Sequence, residues 1–294
     1  MLIPATTILD TSMGIPWVGY IYDFQHRYLP QYSDEQTKEL REKYFTGMLS
    51  RANAVVVNAR AVKKDIEMFY GRSRCPVTAL PLAPAIKPEW IRDSDSMAGD
   101  AGVGEYVIVS NQMWRHKNHM TLFEAIKKLK INHPTIKLLC TGEEKDPRFP
   151  DYPQTLKRWV REKGLANNIL FLGFIGKKDQ IALLRNARAV VQPTTFEGGP
   201  GGGSGQDALA LGTPLIVSDI DVNRELEGGD IRFFPPFDVD ALAAAISRVL
   251  IEKPIRPSFE RLLTRSEENR KRLADALLEA CRSAIKHATH DQGS

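Results

Sequence analysis

"FEGGPGGGSGQDALALGTPLIVSD", residues Phe196 to Asp219, places six glycines among the eight positions from Gly198 to Gly205. The run lies between the β-branched stretch "RAVVQP" and the apolar helical pattern "DALALG", and a second β-branched stretch, "PLIVSD", closes it. Read in order this is strand, glycine turn, helix, strand, the unit from which parallel sheets are built. Glycine loses more backbone freedom on ordering than any other residue, so a run of six needs a reason. A plain flexible loop is one. The other is a backbone that must approach a ligand closely, and a loop held between a buried strand and a helix favours it.

The same alternation extends in both directions. Upstream, "EYVIVS" (105–110), "IKLLCTG" (136–142) and "ILFLGF" (169–174) read as strands separated by helical patterns. Downstream, "IRFFPP" is a short strand and "DVDALAAAISRVLIEK" a helix. Residues 105–253 therefore hold about six strands, enough for one complete doubly wound α/β domain. Before it, "WVGYIY", "AVVVN" and "PVTALPL" give residues 1–88 about three strands. Between them lie a helix from Ser33, with that serine as its cap, and a second helix closed by Gly71. The small, polar residues of 89–104 read as a linker, and residues 254–294 as a helical tail that ends near His287.

With 294 residues, 43% of them hydrophobic and 26% charged, the chain has the composition of a soluble globular protein of about two domains. Its net charge of +4 suits anionic ligands or membrane headgroups and gives no ground for a nucleic-acid partner. Three scattered cysteines exclude a disulfide framework or a zinc site, and a reducing, cytoplasmic setting fits them. No stretch approaches the ~18 apolar residues of a membrane span. The N-terminus lacks the basic start of a signal peptide.

Ligands of open parallel sheets bind beyond the carboxyl ends of the strands. Three loops of 105–253 end there. "SNQMWRHKNH" brings Arg115, His116 and Lys117 to a helix N-terminus, where free N–H groups attract anions; a solvated basic loop is the plain alternative. "CTGEEKDPRFP" sets Thr141 and Gly142 at a strand end, but its length reads as a surface excursion. In the glycine loop, amides could face a phosphate or sugar and Ser204 could cap the helix. Glu197 and Asp207, the latter on the first helical turn, would supply carboxylates for hydroxyl groups. The stretch is neither a dinucleotide fingerprint, for which it comes too late in the domain, nor a P-loop, for which it lacks GK[ST].

In these residues the chain resembles the retaining GT-B glycosyltransferases of the GT4 family, also called glycosyl transferases group 1. The family pattern runs roughly P-S-x-x-E-G-F/G-G-x-x-x-x-E-A-x-A-x-G-x-P-V-I-x-S-D, against "QPTTFEGGPGGGSGQDALALGTPLIVSDIDVNRE" here. "SNQMWRHKNHMTLFEAI" and "NNILFLGFIGKKDQIALLRNARAVVQPT" match further family segments, and the likeness spans about residues 15–252. It implies a GT-B-like α/β protein: a complete Rossmann-like C-terminal domain for a nucleotide-diphosphate sugar, and a partial Rossmann-like N-terminal domain, begun mid-domain, for the acceptor. By position, Lys117 would meet the diphosphate. Asn111 or Gln112 stands where the family carries an arginine, and Arg115 lies off that position. Glu197 matches the first glutamate of the E-x7-E motif, beside the donor sugar. The backbone of Gly198, Gly199, Pro200 and Gly201 would line the sugar and phosphates, with Gly142 at the neighbouring strand end. Asp207 takes the second glutamate's place with a shorter side chain and two extra residues in the interval. Asp23, Gln25 and His26, in "YDFQH", would face the acceptor, His26 as a catalytic group or a hydrogen-bonded loop histidine.

The activity implied is retaining, metal-independent sugar transfer without a cofactor, to a saccharide or lipid-linked acceptor, with peripheral contact to the inner face of the membrane. Two alternatives accompany it: a GT-B-type nucleotide-sugar epimerase, and a donor-binding fragment or pseudoenzyme without efficient transfer.

Overall fold

The computed structural model describes residues 1–9, 14–90, 104–253 and 255–291. Most of the expected linker, 91–103, lies outside them. In chain order the elements are β1 (Leu2–Ala5), β2 (Trp17–Ile21), α1 (Gln25–Tyr28), α2 (Glu35–Arg51), β3 (Ala54–Val57), α3 (Arg60–Tyr70) and β4 (Val77–Ala79). There follow β5 (Tyr106–Ser110), α4 (His119–Leu129), β6 (Lys137–Thr141), α5 (Tyr152–Glu162), β7 (Ile169–Gly173), α6 (Lys177–Asn186) and β8 (Val190–Gln192). The last are α7 (Gly202–Ala210), β9 (Leu215–Ser218), β10 (Ile231–Phe234), α8 (Val239–Glu252) and α9 (Phe259–Asp291). Helix α9 thus runs four residues past His287.

They fall into two compact units. One comprises Met1–Ala83, Glu197–Pro200 and Glu268–Ser294; the other comprises Pro84–Phe196 and Gly201–Glu267.

The first unit holds four parallel strands in the order β1-β2-β3-β4, one more than the sequence pattern suggested. The added strand is "LIPA", too short and too interrupted by Pro4 to show periodicity. Leu2 and Ile3 are exposed on it, as on an edge strand. Strand β3, "AVVV", is buried at every position, as a strand covered on both faces must be. Small residues let the C-terminal helix cover one face: Ala280 and Ala284 of α9 pack against Val18, Ala54 and Val56. Helix α2 is capped by Asp34, whose carboxylate accepts the Thr37 N–H at 2.6 Å. The cap is therefore one residue later than Ser33. Gly71 closes α3 with φ 73° as expected.

The second unit is a six-stranded, wholly parallel sheet in the order β10-β9-β8-β5-β6-β7. Its core follows from period-two alternation with both faces covered. Val107, Val109, Leu138, Cys140 and Val191 point into a cluster with α4, α5 and α8. Tyr106, Ile108, Leu139, Val190 and Val217 point into another with α6, α7 and the start of α9. Chain order reverses direction between β5 and β8, the topological switch point of a doubly wound sheet. The loops that leave these two strands are the first and third loops singled out above.

Candidate functional site at the switch point

The loop after β5 is built around Lys117. A 3-10 turn, Arg115–Lys117, leads into Asn118, which adopts the left-handed conformation (φ 52°) before α4 begins. Asn118 does not cap the helix. Its amide donates to the Pro193 carbonyl at 3.1 Å and its oxygen accepts from the Thr121 hydroxyl at 2.9 Å. The α4 N-terminus therefore begins with no side chain capping its N–H groups, beside a lysine that is 8% exposed. Such an end carries partial positive charge and suits an anion. His116 and His119 report the field there. Burial, reinforced by the Lys117 charge and for His116 by Arg148, pushes His116 down to about 3 and His119 to about 4. Both imidazoles are neutral at pH 7. Asn111, half-buried, donates through Nδ2 to Gln192 Oε1 at 2.6 Å, whereas Gln112 is exposed.

The loop after β6 is no loose excursion. Asp146 is buried and accepts the backbone N–H groups of Arg115 (3.1 Å) and Arg148 (3.0 Å). Arg148 reaches His116 Nδ1 at 3.3 Å, and the Met113 N–H donates to the Glu143 carbonyl at 3.0 Å. The Arg115 guanidinium lies over the Phe149 ring, 4.4 Å from its centre, and is exposed. The segment clasps the Lys117 loop, which explains its length. Gly142 starts the clasp at φ 129°, a backbone region that L side chains rarely adopt. A Cβ there would stand 2.1 Å from the Asn111 carbonyl oxygen. Gly142→Ala is expected to cost about 3–5 kcal/mol from strain and overlap together, measured as a lower urea midpoint with unchanged slope. A loss below ~1 kcal/mol would mean that the two loops part easily.

The exit of β8 is pinned to the same loop. The Thr195 N–H donates to the His116 carbonyl at 2.8 Å, and the buried Thr194 hydroxyl donates to the Phe196 carbonyl at 2.7 Å. Ser218 reaches the Thr194 carbonyl at 2.5 Å. The chain re-enters this unit at Gly201, whose φ of 71° and N–H donation to Asn223 Oδ1 (2.8 Å) form the turn into α7. Asn223 is fully buried and donates in turn to the Ser218 carbonyl at 2.9 Å. The Gly201 amide is thus engaged within the protein, while its flexibility serves the turn.

Helix α7 starts at Gly202, two residues before the serine expected to cap it. Ser204 lies inside the helix, where its hydroxyl accepts from the fully buried Gln192. Asp207 is accordingly on the second turn, not the first. Its carboxylate is 2.5 Å from Lys177 Nζ, which also lies 5.2 Å from the centre of the Trp90 ring. Asn223, Gln192, Asp146 and Thr194 escaped the sequence reading. Only Gln192 carried a signal: a polar residue within a fully buried parallel strand needs internal partners.

The remaining predicted residues belong to the first unit. Glu197 is half-buried and Pro200 buried. Gly198 lies against the end of β2, where a Cβ would stand 2.6 Å from the Tyr22 carbonyl oxygen and 2.8 Å from Asp23 Cβ. At Gly199 a Cβ would stand 2.9 Å from Leu82 Cδ1, the far end of a side chain that can shift. At Gly198 the close approach is to the protein's own backbone, where the sequence alone offers a flexible loop or a ligand. Asp23 accepts the Gln25 N–H at 2.8 Å and pairs with Arg41. His26 is buried, its Nε2 2.8 Å from Glu42 Oε1 and its Nδ1 without a hydrogen-bond partner. Burial would raise the Glu42 carboxyl, but hydrogen bonds from Arg27, Tyr70 and His26 outweigh it and hold it at about 2.

A family model described as glycosyl transferases group 1 matches residues 99–272. A phosphatidyl-myo-inositol mannosyltransferase of Mycobacterium leprae is 23% identical over 227 residues, 76% of this chain and 58% of the relative. An O-antigen chain mannosyltransferase of Salmonella typhimurium is 27% identical over 144 residues, 49% of this chain and 38% of its own length. The chain thus spans roughly half the length, or less, of these curated relatives. Among solved structures, Anabaena HepE, in complex with UDP and glucose, superposes with a TM-score of 0.72 at 17% identity, covering 92% of this chain and 72% of that one. Sucrose-phosphate synthase from Thermosynechococcus elongatus gives 0.66 at 20%, covering 95% and 68%. Both likenesses show the fold, and no described helix is long and apolar enough to cross a membrane. Two Rossmann-like parallel sheets, the motifs in family order and a family match over more than half the residues establish the conclusion: the chain has a GT-B-like fold and belongs to the glycosyl transferases group 1 family.

Proposed function

We propose that the protein moves a sugar from a nucleotide-diphosphate donor to a saccharide or lipid-linked acceptor, with retention, without a metal, and in peripheral contact with the membrane. The observation that carries the donor reading is Lys117, a largely buried lysine beside the uncapped start of α4 at the sheet's switch point. A lysine ammonium and oriented N–H groups stabilise phosphate charge, including the charge that builds on a departing nucleoside diphosphate. The HepE structures with UDP, UDP-glucose, and UDP and glucose support a nucleotide sugar as the ligand class. In this reading Glu197 faces the donor sugar, Asn111 and Gln112 take the place of a family arginine, and Asp207 reaches the ribose once Lys177 releases it. His26, held by Glu42, belongs to the acceptor side.

Calorimetry with UDP-, GDP- and ADP-sugars tests it. Lys117→Ala is expected to weaken the preferred donor about 10- to 150-fold, the value of one hydrogen bond to a charged group. Equal affinity for both proteins would remove Lys117 from the site.

A further inference from the structure

The outer surface of the second unit carries an open groove of about 570 Å³ that the donor reading leaves unused. Its walls are Glu124, Lys127, Lys128 and Ile131 at the end of α4, with Trp159 and Lys163 from α5. Connecting helices run antiparallel to the strands they join. The C-terminal ends of α4 and α5 therefore lie at the sheet edge opposite the loops of Lys117 and Gly201.

Three features set this groove apart. The first is charge. Residues 124–137 and 155–163 together hold eight Lys and Arg against two Glu, an excess larger than the +4 of the whole chain. Lys128 is paired with Asp240 and Lys157 with Glu144. Lys127 and Lys163 have no ion-pair partner among the described residues. The second feature is Ile131, which is 80% exposed in the midst of these lysines. The third is rigidity. Lys130 Nζ donates to the Gly164 carbonyl at 3.0 Å, tying the two helix ends together. The His133 ring lies 3.1 Å from the Ser247 hydroxyl of α8, and Trp159 packs beside Phe123. The isoleucine is held outward on a braced platform.

Lysines around a fixed aliphatic side chain match one partner best. Anionic headgroups meet the ammonium groups, and the acyl boundary accepts the isoleucine and the indole edge. A phosphate backbone or an acidic protein surface would satisfy the charges and leave Ile131 in water. We infer that this groove docks the protein on an anionic lipid surface, which leaves the switch-point loops uncovered. The inference rests on the peripheral membrane contact proposed above and gives it a location; it needs no particular donor or acceptor.

The test is co-sedimentation of the full chain with phosphatidylcholine vesicles containing or lacking one-quarter phosphatidylglycerol. Wild type is expected to bind the anionic vesicles at least tenfold better, with the preference lost in 0.5 M salt. Each lysine at such a surface is worth about a fivefold change in partitioning. Lys127→Glu with Lys163→Glu should therefore lower anionic binding at least tenfold, and Ile131→Ser several-fold, with circular dichroism unchanged. Reversal of the exposed Lys271 on α9 should have little effect. Failure of wild type to prefer anionic vesicles would overturn the membrane contact itself. Wild-type binding by the double variant would leave that contact standing and overturn this groove as its location. If the double variant lost binding to a DNA duplex but kept binding to vesicles, the occupant would be a polyanion and the inference wrong.

Discussion

Glu197→Gln is expected to keep nucleotide-sugar affinity within a fewfold of wild type and to lower sugar transfer, or donor hydrolysis, by about a hundredfold. The residue leaves β8 through a stretch whose conformation is fixed twice, by the Thr194 hydroxyl on the Phe196 carbonyl and by the Thr195 N–H on the His116 carbonyl. It then passes into two glycines, of which Gly198 lies too close to the Tyr22 carbonyl and Asp23 for any side chain. In the proposed reading this carboxylate faces the donor sugar. Sugar transfer passes through a state with positive charge on the anomeric carbon, and a fixed negative charge lowers that barrier more than it strengthens ground-state binding. Glutamine keeps the shape and removes the charge, so the effect should appear in kcat rather than in KM. Paired calorimetry and turnover separate the cases. Parental turnover would make Glu197 a structural strand-end residue, and lost binding would place it on the nucleotide instead.

The parts of this molecule that were legible in its sequence are those where one physical rule dominates. The strands of the second sheet are short apolar runs, the central β5, β8 and β9 buried at every position, and every one appears within two residues of its expected ends. The closing of α3 by Gly71 and the placing of Lys117 before a helix follow local backbone chemistry of the same kind. Competition between rules hid the rest. Ser204 and Asp34 are both good helix caps by type, yet Gln192 claims the first for the core while the second displaces Ser33. Strand β1 has no periodicity to read, because only Ala5 of its four residues is buried. The role of the 142–150 segment depends on Asp146, whose partners are remote in sequence and cannot be inferred from spacing. The glycines illustrate both limits. That they relieve crowding was readable, but the neighbour at Gly198, the Tyr22 carbonyl, was not, nor that Gly201 spends its amide on Asn223.

Acid should loosen the second unit well before its carboxylates titrate. His116 and His119 are buried as neutral rings, with folded values near 3 and 4 against 6.5 when exposed. Below pH 6.5 the unfolded chain takes up protons that the folded chain refuses, so the stabilisation is complete above that pH and is lost as pH falls towards the folded values. Each histidine then contributes a slope of up to about 1.4 kcal/mol per pH unit. His26, lowered in the same direction by its burial, adds to the trend from the first unit. Glu42, Asp219 and Glu105 also have lowered values, but their losses begin only as pH falls into the ordinary carboxylate range, below about pH 5. The interval from pH 6.5 to 5 therefore isolates the histidines. Urea unfolding across it should show a falling midpoint, and the fall should shrink in His116→Asn and His119→Gln. The Lys117 charge is one of the reasons both rings stay neutral, after burial itself. Lys117→Ala should therefore raise both folded values and flatten the same curve, in a protein that has also lost donor affinity. A flat wild-type curve between pH 6.5 and 5 would show that the rings are hydrated. An unchanged slope in Lys117→Ala would place its ammonium farther from them than the structure does.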